Sequence, residues 1–563
     1  MSWIQVKPKR KPNERDSAIE KIAKIRGIED PQRFLFPSKN ELFDPYLIKN
    51  VETAANRIIR AISLNEKIVV SFDSDADGLT ATSTMIRYLS NYTDNVNYIY
   101  GERGDGHGIT QMILSNSLNQ DTEKERIELN RENIRKIQEC DLLILIDSSS
   151  NDVAACRHIS EKWKKEIIIV DHHEIEVENP YVTMVNIQQK DDIYPNKSIS
   201  GAGMVFKLLQ VMEDTLCQVD PFQYIDLIAV GMYADVMRMD VFENRFIVME
   251  GLRNFKNVGL LRILKSANVD LRRTNSNTIG FTIAPLINGC ARMENIKLAI
   301  DMLLTDDDAE AMKLNREMKK LNDDRKIRQK EITDRYAKNI NEDEKILIVI
   351  DENSSKGFNG LICQQLSEQF KRPAIVGRLH KGKLSGSFRS YNGFNLKEFL
   401  VKSELIDEAM GHPQAGGIVV DESNIAKLNK YIDENLPVLE DRQRNFFYDF
   451  EINVKEVNKY VDAIEEYNKV TGNGFYRITV KVSGLTVADV KCIGKTMETV
   501  KIETMDDLEC IRFRVDETYA SELGFYDEID VVGALGKNYW YNFQERKEII
   551  KNQIMIDDYQ MSN

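Results

Sequence analysis

The sequence predicts an α/β protein: a first domain built on a mainly parallel sheet, a long connecting helix, a smaller second α/β domain, and a C-terminal β-barrel. Three observations carry this. Short, continuously apolar runs alternate with helical patterns, as in strands covered on both faces. A highly charged stretch with sparse apolar residues at helical spacing interrupts that alternation. Beyond about Phe446 the chain turns into short β-rich runs separated by turns.

The elements follow in order. Lys67–Phe72, "KIVVSF", is a β-branched run that reads as a buried strand. It feeds the loop "SFDSDADG" (Ser71–Gly78), and "LTATSTMIRYLSNY" continues with helical spacing, completing a βα unit. "DLLILID" (Asp141–Asp147) and "EIIIVDHH" (Glu166–His173) are two further strands, with "SNDVAACRHISEKW" as the crossover helix between them. In such sheets the ligand crevice lies beyond the carboxyl ends of the strands. The stretch from Asp306 to about Asn339 reads as one long solvated helix. A second α/β pattern runs from "KILIVID" (Lys345–Asp351) through "GHPQAGG" (Gly411–Gly417). "YRITVKVSGLTVADVKCIG", "TVKIETM", "CIRFRV", "EIDVVGALG" and "KEIIKNQIMIDDY" then suggest a small antiparallel barrel. The chain shows no internal repeat and no low-complexity tract.

With 563 residues the chain exceeds what one core holds, so several domains are expected. No apolar run approaches the ~20 residues that span a bilayer, and the basic start lacks the apolar core of a signal peptide. A cytoplasmic location is the expectation. Seven scattered cysteines without a CxxC argue against a disulfide framework and a zinc site. A net charge of −14 speaks weakly against a polyanionic partner, although a local basic groove is compatible with it.

The chemistry concentrates at the strand ends. Asp73, Asp75 and Asp77 stand at alternate positions, Asp147 ends a strand, and Asp171, His172 and His173 end another. Asp235 follows the apolar "YIDLIAV". Close carboxylates repel, and burying them is costly unless a cation offsets their charge. Carboxylate and imidazole without thiolate suit Mn²⁺ or Mg²⁺ over structural zinc. Several acids on one edge could hold two ions roughly 3.5–4 Å apart, as in two-metal hydrolases. The bland reading of DxDxDG is a calcium loop, but Thr84 stands where that loop needs its glutamate. A lone "DHH" is equally a helix cap with surface histidines. It is the combination of three strand ends that favours a metal centre.

"DSDADG", "LILIDSSS", "IIIVDHHE" and "VGMYADVMRMDVFENR" resemble, in that order, four motifs of the DHH phosphoesterase superfamily. The chain is similar throughout to the RecJ family of single-strand-specific exonucleases, and its departures read like those of a phage or mobile-element relative. "RGIEDPQRFLFPSKNELFDPYLIKN" is similar to the family's lead-in, and "GFNGLICQQLSEQFKRPAIV", "GSFRSYNGFNL" and "GHPQAGG" to its DHHA1 domain. The resemblance implies a lead-in at 1–50 packing on a DHH domain at 51–305. A connecting helix at 306–343, a DHHA1 domain at 344–440 and an OB-fold at 441–563 follow. It implies that Asp75 and Asp147 hold one ion, with Asp73 an extra ligand. Asp77, Asp147, His172 and Asp235 would hold the second. Asp171 would orient the histidines and His173 would face the scissile phosphate. The family usually has histidine where Ser71 and Ser355 stand, tyrosine at His107, arginine at Leu286 and glycine at Ala291.

The activity implied is metal-dependent 5′-to-3′ hydrolysis of single-stranded DNA to 5′-mononucleotides, with Mn²⁺ favoured over Mg²⁺. For the 5′-phosphate the resemblance points to Arg103, Arg292, Ser387 and Arg389, with His412 near the cleft. Arginine suits such multidentate contacts, although a lone arginine is more often a surface ion pair. Tyr476, Trp540, Tyr541 and Phe543 are candidates for base stacking on the barrel, with core packing the favoured role for most. A single-strand-binding protein or a helicase is a further partner suggested by the family, and no membrane is. The alternative is a DHH-family phosphodiesterase acting on short RNA oligonucleotides or cyclic dinucleotides. Smaller proteins of that kind lack the C-terminal barrel. A non-catalytic scaffold and a pyrophosphatase fit less well, given the intact ligand set and the length.

Overall fold

The computed structural model describes residues 2–102, 108–114, 124–340, 344–437, 439, 445–494, 497–542 and 546–562. Contacts divide the chain into two units. One comprises Phe43–Met237 and Ile247–Asp441, the other Met1–Leu42, Arg238–Phe246 and Arg442–Asn563.

The larger unit opens on a five-stranded sheet that is parallel throughout. Its spatial order is Val96–Tyr100, Ile68–Phe72, Leu142–Ile146, Glu166–Asp171, Thr183–Asn186. In chain order this is 2-1-3-4-5, so the winding reverses between the first and third strands. Such a reversal opens a crevice at the carboxyl ends of those two strands. The three expected strands are present, flanked by two edge strands that the sequence pattern left unread. Val96–Tyr100 escapes because its residues are mostly half-exposed, and Thr183–Asn186 because it is only four residues long. The crossover helix Val153–Arg157 continues as a π-helical turn, His158–Lys162. Helices Ala76–Leu89, Gly201–Leu216 and Ile225–Ala234 pack together, and the last is buried over nearly its whole length.

Asp308–Ala337 is a single 30-residue helix, capped by Asp307, whose carboxylate accepts the Ala309 and Glu310 N–H groups. At 1.5 Å per residue it extends about 45 Å. The second lobe of this unit is a mixed five-stranded sheet in the order Glu408–His412, Ala415–Asp421, Lys383–Arg389, Ala374–His380, Leu347–Ile350. Only its last pair is parallel. Helix Lys356–Phe370 packs on it.

The smaller unit holds a closed barrel. Val480–Ile493, Thr499–Thr504, Leu508–Phe513, Lys547–Met561 and Glu528–Asn542 pair in sequence, and the last pairs back to the first. The order 1-2-3-5-4-1 is that of an OB-fold. An all-antiparallel barrel was the expectation. Leu508–Phe513 runs parallel to Lys547–Met561, because closure brings the third strand beside the fifth.

The lead-in divides between the units: Met1–Leu42 groups with the C-terminal unit, and the residues from Phe43 on with the larger one, where Lys207 donates to the Phe43 carbonyl and Asn50 to the Met184 carbonyl. Ser2–Gln5 runs parallel to Asn445–Tyr448. The Arg26 guanidinium grips buried Asp449 through two bonds, 2.6 and 2.8 Å, and also donates to the carbonyls of Tyr476 and Arg477. Arg245, fully buried, donates to the carbonyls of Phe34 and Val470 and lies 3.8 Å from the Phe34 ring centre. These partners lie hundreds of residues apart, so no local pattern announces them. Removing one member of a buried ion pair strands the other. Arg26→Ala is therefore expected to destabilise the C-terminal unit by about 3 kcal/mol in urea unfolding.

Candidate metal centre

The winding reversal sets the acidic loop beside Asp147. Asp75 caps helix Ala76–Leu89, its carboxylate accepting the N–H groups of Asp77 at 3.0 Å and Gly78 at 3.1 Å. A Cβ on Gly78 would come within 2.5 Å of the Asp73 carbonyl, so this fold-back requires glycine. Asp147 has φ 57°, a left-handed conformation rare outside glycine that turns its side chain off the end of the strand.

His172 joins the group. Its Nε2 lies 3.2 Å from Asp147 Oδ1 and 3.3 Å from Asp235 Oδ2. Two sets of ligand-type atoms lie within 4.8 Å of one another: Asp77, His172 and Asp235, and Asp147, Asp171, His172 and His173. Asp73 and Asp75 fall outside both sets, although their charges bear on Asp147 and Asp235. Asp147 is 2% exposed, and among the described residues its buried Oδ1 has no hydrogen-bond partner, with His172 Nε2 as its near neighbour at 3.2 Å. A carboxylate oxygen left that way is costly, and a cation satisfies it. The residues present therefore fit divalent cations.

Space for these acids is provided by two glycines. A Cβ on Gly201 would stand 2.6 Å from Asp147 Oδ1, and one on Gly231 would stand 2.4 Å from Asp77 Oδ1. Asp77 has a second task. It accepts the Ser200 hydroxyl at 2.8 Å and the N–H groups of Gly201 and Ala202 at 2.7 and 3.1 Å. It thereby seats on the positive end of helix Gly201–Leu216.

Asp171 is fully buried. It accepts the His172 and His173 backbone N–H groups at 2.7 and 3.3 Å and the Ser150 hydroxyl at 2.7 Å. The same carboxylate lies 2.7 Å from His173 Nδ1. Asn186, from the last strand, donates to Ser150 Oγ and to the His173 carbonyl. Asp171 thus contacts the His173 ring and the backbone of both histidines.

The electrostatics follow from this crowding. Burial, reinforced by the charges of Asp77 and Asp75, holds the Asp147 carboxyl well above its usual range and pushes Asp235 up to about 8. Burial works the same way on Asp171, but the bond to His173 and the charges of both histidines outweigh it and hold that carboxyl below its usual range. Burial pulls His173 down, yet the bond to Asp171 wins and raises it to about 9.

Of the phosphate candidates, Arg292 ends helix Ala284–Arg292 and donates to the Gly357 carbonyl at 2.8 Å. Arg389 closes strand Lys383–Arg389, and a Cβ on Gly360 would stand 2.7 Å from its Nη2. Both arginines thus reach the first turns of helix Lys356–Phe370. Ser387 lies in the same strand, aligned with Val376 and Gly417. His412 ends the exposed edge strand opposite Ala415, which in turn aligns with Arg389. Arg103, His107 and Phe543 lie outside the described residues. Tyr476, Trp540 and Tyr541 are 68%, 37% and 51% exposed, which corrects the expectation of core packing. Sequence reasoning missed Gly201, Asn186 and Asn288. Asn288 Oδ1 accepts the Ala76 N–H at 3.1 Å, beside Asp75.

The profile of the DHH family, N-terminal domain, matches residues 67–232, and that of the RecJ OB domain matches residues 448–552. A prophage-derived single-strand DNA-specific exonuclease of Bacillus subtilis, YorK, is 28% identical over 92% of this chain and 92% of its own. The single-stranded-DNA-specific exonuclease RecJ of the same organism is 29% identical over 94% of this chain and 66% of its own. The crystal structure of RecJ from Thermus thermophilus in complex with Mn²⁺ superposes with a TM-score of 0.74. It is 23% identical and covers 96% of this chain and 75% of that one, a likeness of fold.

Two outcomes are expected. A carboxyl lifted to about 8 must lose its proton to bind a cation. Mn²⁺ affinity measured by calorimetry should therefore fall as pH drops from 8 to 6, by about tenfold per unit for each proton released. The same raised carboxyl makes the metal-free fold lose stability as pH rises from 4 to 8, the opposite direction, since the folded state binds the extra proton there. In a second test, Gly201→Ala should push on the Asp147 carboxylate and weaken Mn²⁺ binding by about 10- to 100-fold, with unchanged circular dichroism.

Proposed function

We propose, for a chain that is RecJ-like in both its DHH-family and its RecJ OB domain, a metal-dependent 5′-to-3′ exonuclease that releases 5′-mononucleotides from single-stranded DNA. The observation that carries it is the convergence of Asp77, Asp147, His172 and Asp235 at the winding reversal, with a buried Asp147 oxygen that has no hydrogen bond among the described residues. Asp77, Asp147, His172 and Asp235, with Asp75 and Asp73 close by, would hold divalent cations, Mn²⁺ or Mg²⁺. Bound there, such cations supply Lewis-acid polarisation of a phosphodiester and a water of lowered pKa.

The chain's own residues do the rest. His172 Nε2 faces two carboxylates and is fixed by the backbone bond of its N–H to Asp171. His173, held charged at neutral pH by the bond of its Nδ1 to Asp171, directs its Nε2–H at a phosphoryl oxygen. Arg292 and Arg389, near the start of helix Lys356–Phe370, bind phosphate, as does the hydroxyl of Ser387. Exposed Tyr476, Trp540 and Tyr541 on the smaller unit support single-strand stacking. The OB domain favours a long strand over the alternative of short RNA or cyclic dinucleotides.

The test digests 5′- and 3′-labelled oligonucleotides, DNA and RNA, with Mn²⁺ or Mg²⁺. The 5′-label should appear first, as a mononucleotide, from single-stranded DNA. Asp147→Ala should abolish release while the melting transition persists. Full activity in that variant would remove the proposal.

A further inference from the structure

A cavity of about 410 Å³ adjoins the metal centre. Its wall includes Ala234 and Val236, which flank Asp235, together with Pro285, Asn288, Arg292 and Arg325. The surrounding edge is crowded with acids, yet among the described residues no aspartate or glutamate lines this cavity. Its volume lies within the range of small-ligand sites.

Two of its polar residues have capacity left over. Arg325, half-buried on helix Asp308–Ala337, donates to Asn322 Oδ1 at 3.0 Å and Gln329 Oε1 at 2.8 Å, both neutral amides. No carboxylate pairs with it among the described residues, and burial alone pulls its pKa down. A half-buried guanidinium held in place by amides keeps donors for an anion. Asn288 uses its carbonyl oxygen on the Ala76 N–H, and its amide group has no partner among the described residues. Ala76 directly follows Asp75, so Asn288 touches the acidic loop and the cavity at once.

From this geometry we infer that Arg325 and Asn288 are substrate-positioning residues. They hold a phosphate of the bound strand in the cavity, and Asn288 transmits its occupancy to the loop carrying Asp75. Strand and cation then strengthen each other's binding, since such coupling is reciprocal. This rests on the proposed exonuclease reading and deepens it: nothing in the sequence pattern singled out either residue.

The test uses the full-length chain and a 5′-phosphorylated oligodeoxynucleotide whose phosphorothioate linkages resist hydrolysis. Oligonucleotide affinity is read by fluorescence anisotropy, and Mn²⁺ affinity by calorimetry with and without the oligonucleotide. In the wild type the oligonucleotide should raise Mn²⁺ affinity about tenfold. Arg325→Gln should weaken oligonucleotide binding by about 10- to 100-fold, as loss of a charge-assisted hydrogen bond does. Arg325→Lys should recover part of it. Asn288→Asp keeps the acceptor for Ala76 and removes the donor facing the cavity, so it should fold normally and lose the coupling. With cleavable DNA, Arg325→Gln should raise KM far more than it lowers kcat. Wild-type binding in Arg325→Gln, undiminished coupling in Asn288→Asp, or no coupling in the wild type would overturn the assignment. A wild type that shows the coupling yet releases no mononucleotide would instead overturn the exonuclease reading and leave this assignment standing.

Discussion

Mutual repulsion among carboxylates with little access to water governs this molecule. Asp147 sits at the carboxyl end of a fully buried strand, facing Asp77, Asp75 and Asp73 across the winding reversal. Left to themselves, these groups would hold protons or push the loop outward. The fold prevents the second outcome. Asp75 is tied down as a helix cap, Asp77 is seated on the start of another helix, and Asp147 is held in a left-handed turn. The remaining ways to relieve the repulsion are protons or cations, which is how a scaffold becomes a metal centre.

The neighbouring histidines extend the same logic. Asp171 is as buried as Asp147, yet it carries the opposite shift, because donors surround it. Four residues supply them: Ser150 and the two histidines directly, with Asn186 behind Ser150. Two aspartates ending adjacent strands thus play different parts, one short of partners and one fully supplied. Environment, more than residue type, separates a ligand from its support.

Much of this was legible in the chain. The apolar runs ending at Phe72, Asp147 and Asp171 announce parallel strands and place their acids on one edge. The charged stretch beginning at Asp306 announces the long helix. What stayed hidden was tertiary. Arg26 and Asp449 meet across 423 positions of sequence, and no periodicity encodes that. Gly201 and Gly231 read as ordinary helix glycines until the carboxylates they make room for are seen. Trp540 and Tyr541 point to opposite faces of their strand and are both exposed, because the hairpin runs on beyond the buried stretch that ends at Leu535, a length no alternation encodes.

The double employment of Asp77 has an evolutionary consequence. A descendant that abandoned hydrolysis could discard Asp147 or Asp235 and even gain robustness by shedding charge. Discarding Asp77 would uncap Gly201–Leu216 and loosen the packing of the whole lobe. Retired copies of this architecture should therefore keep that one aspartate as a fossil of the reaction, long after its companions have drifted away.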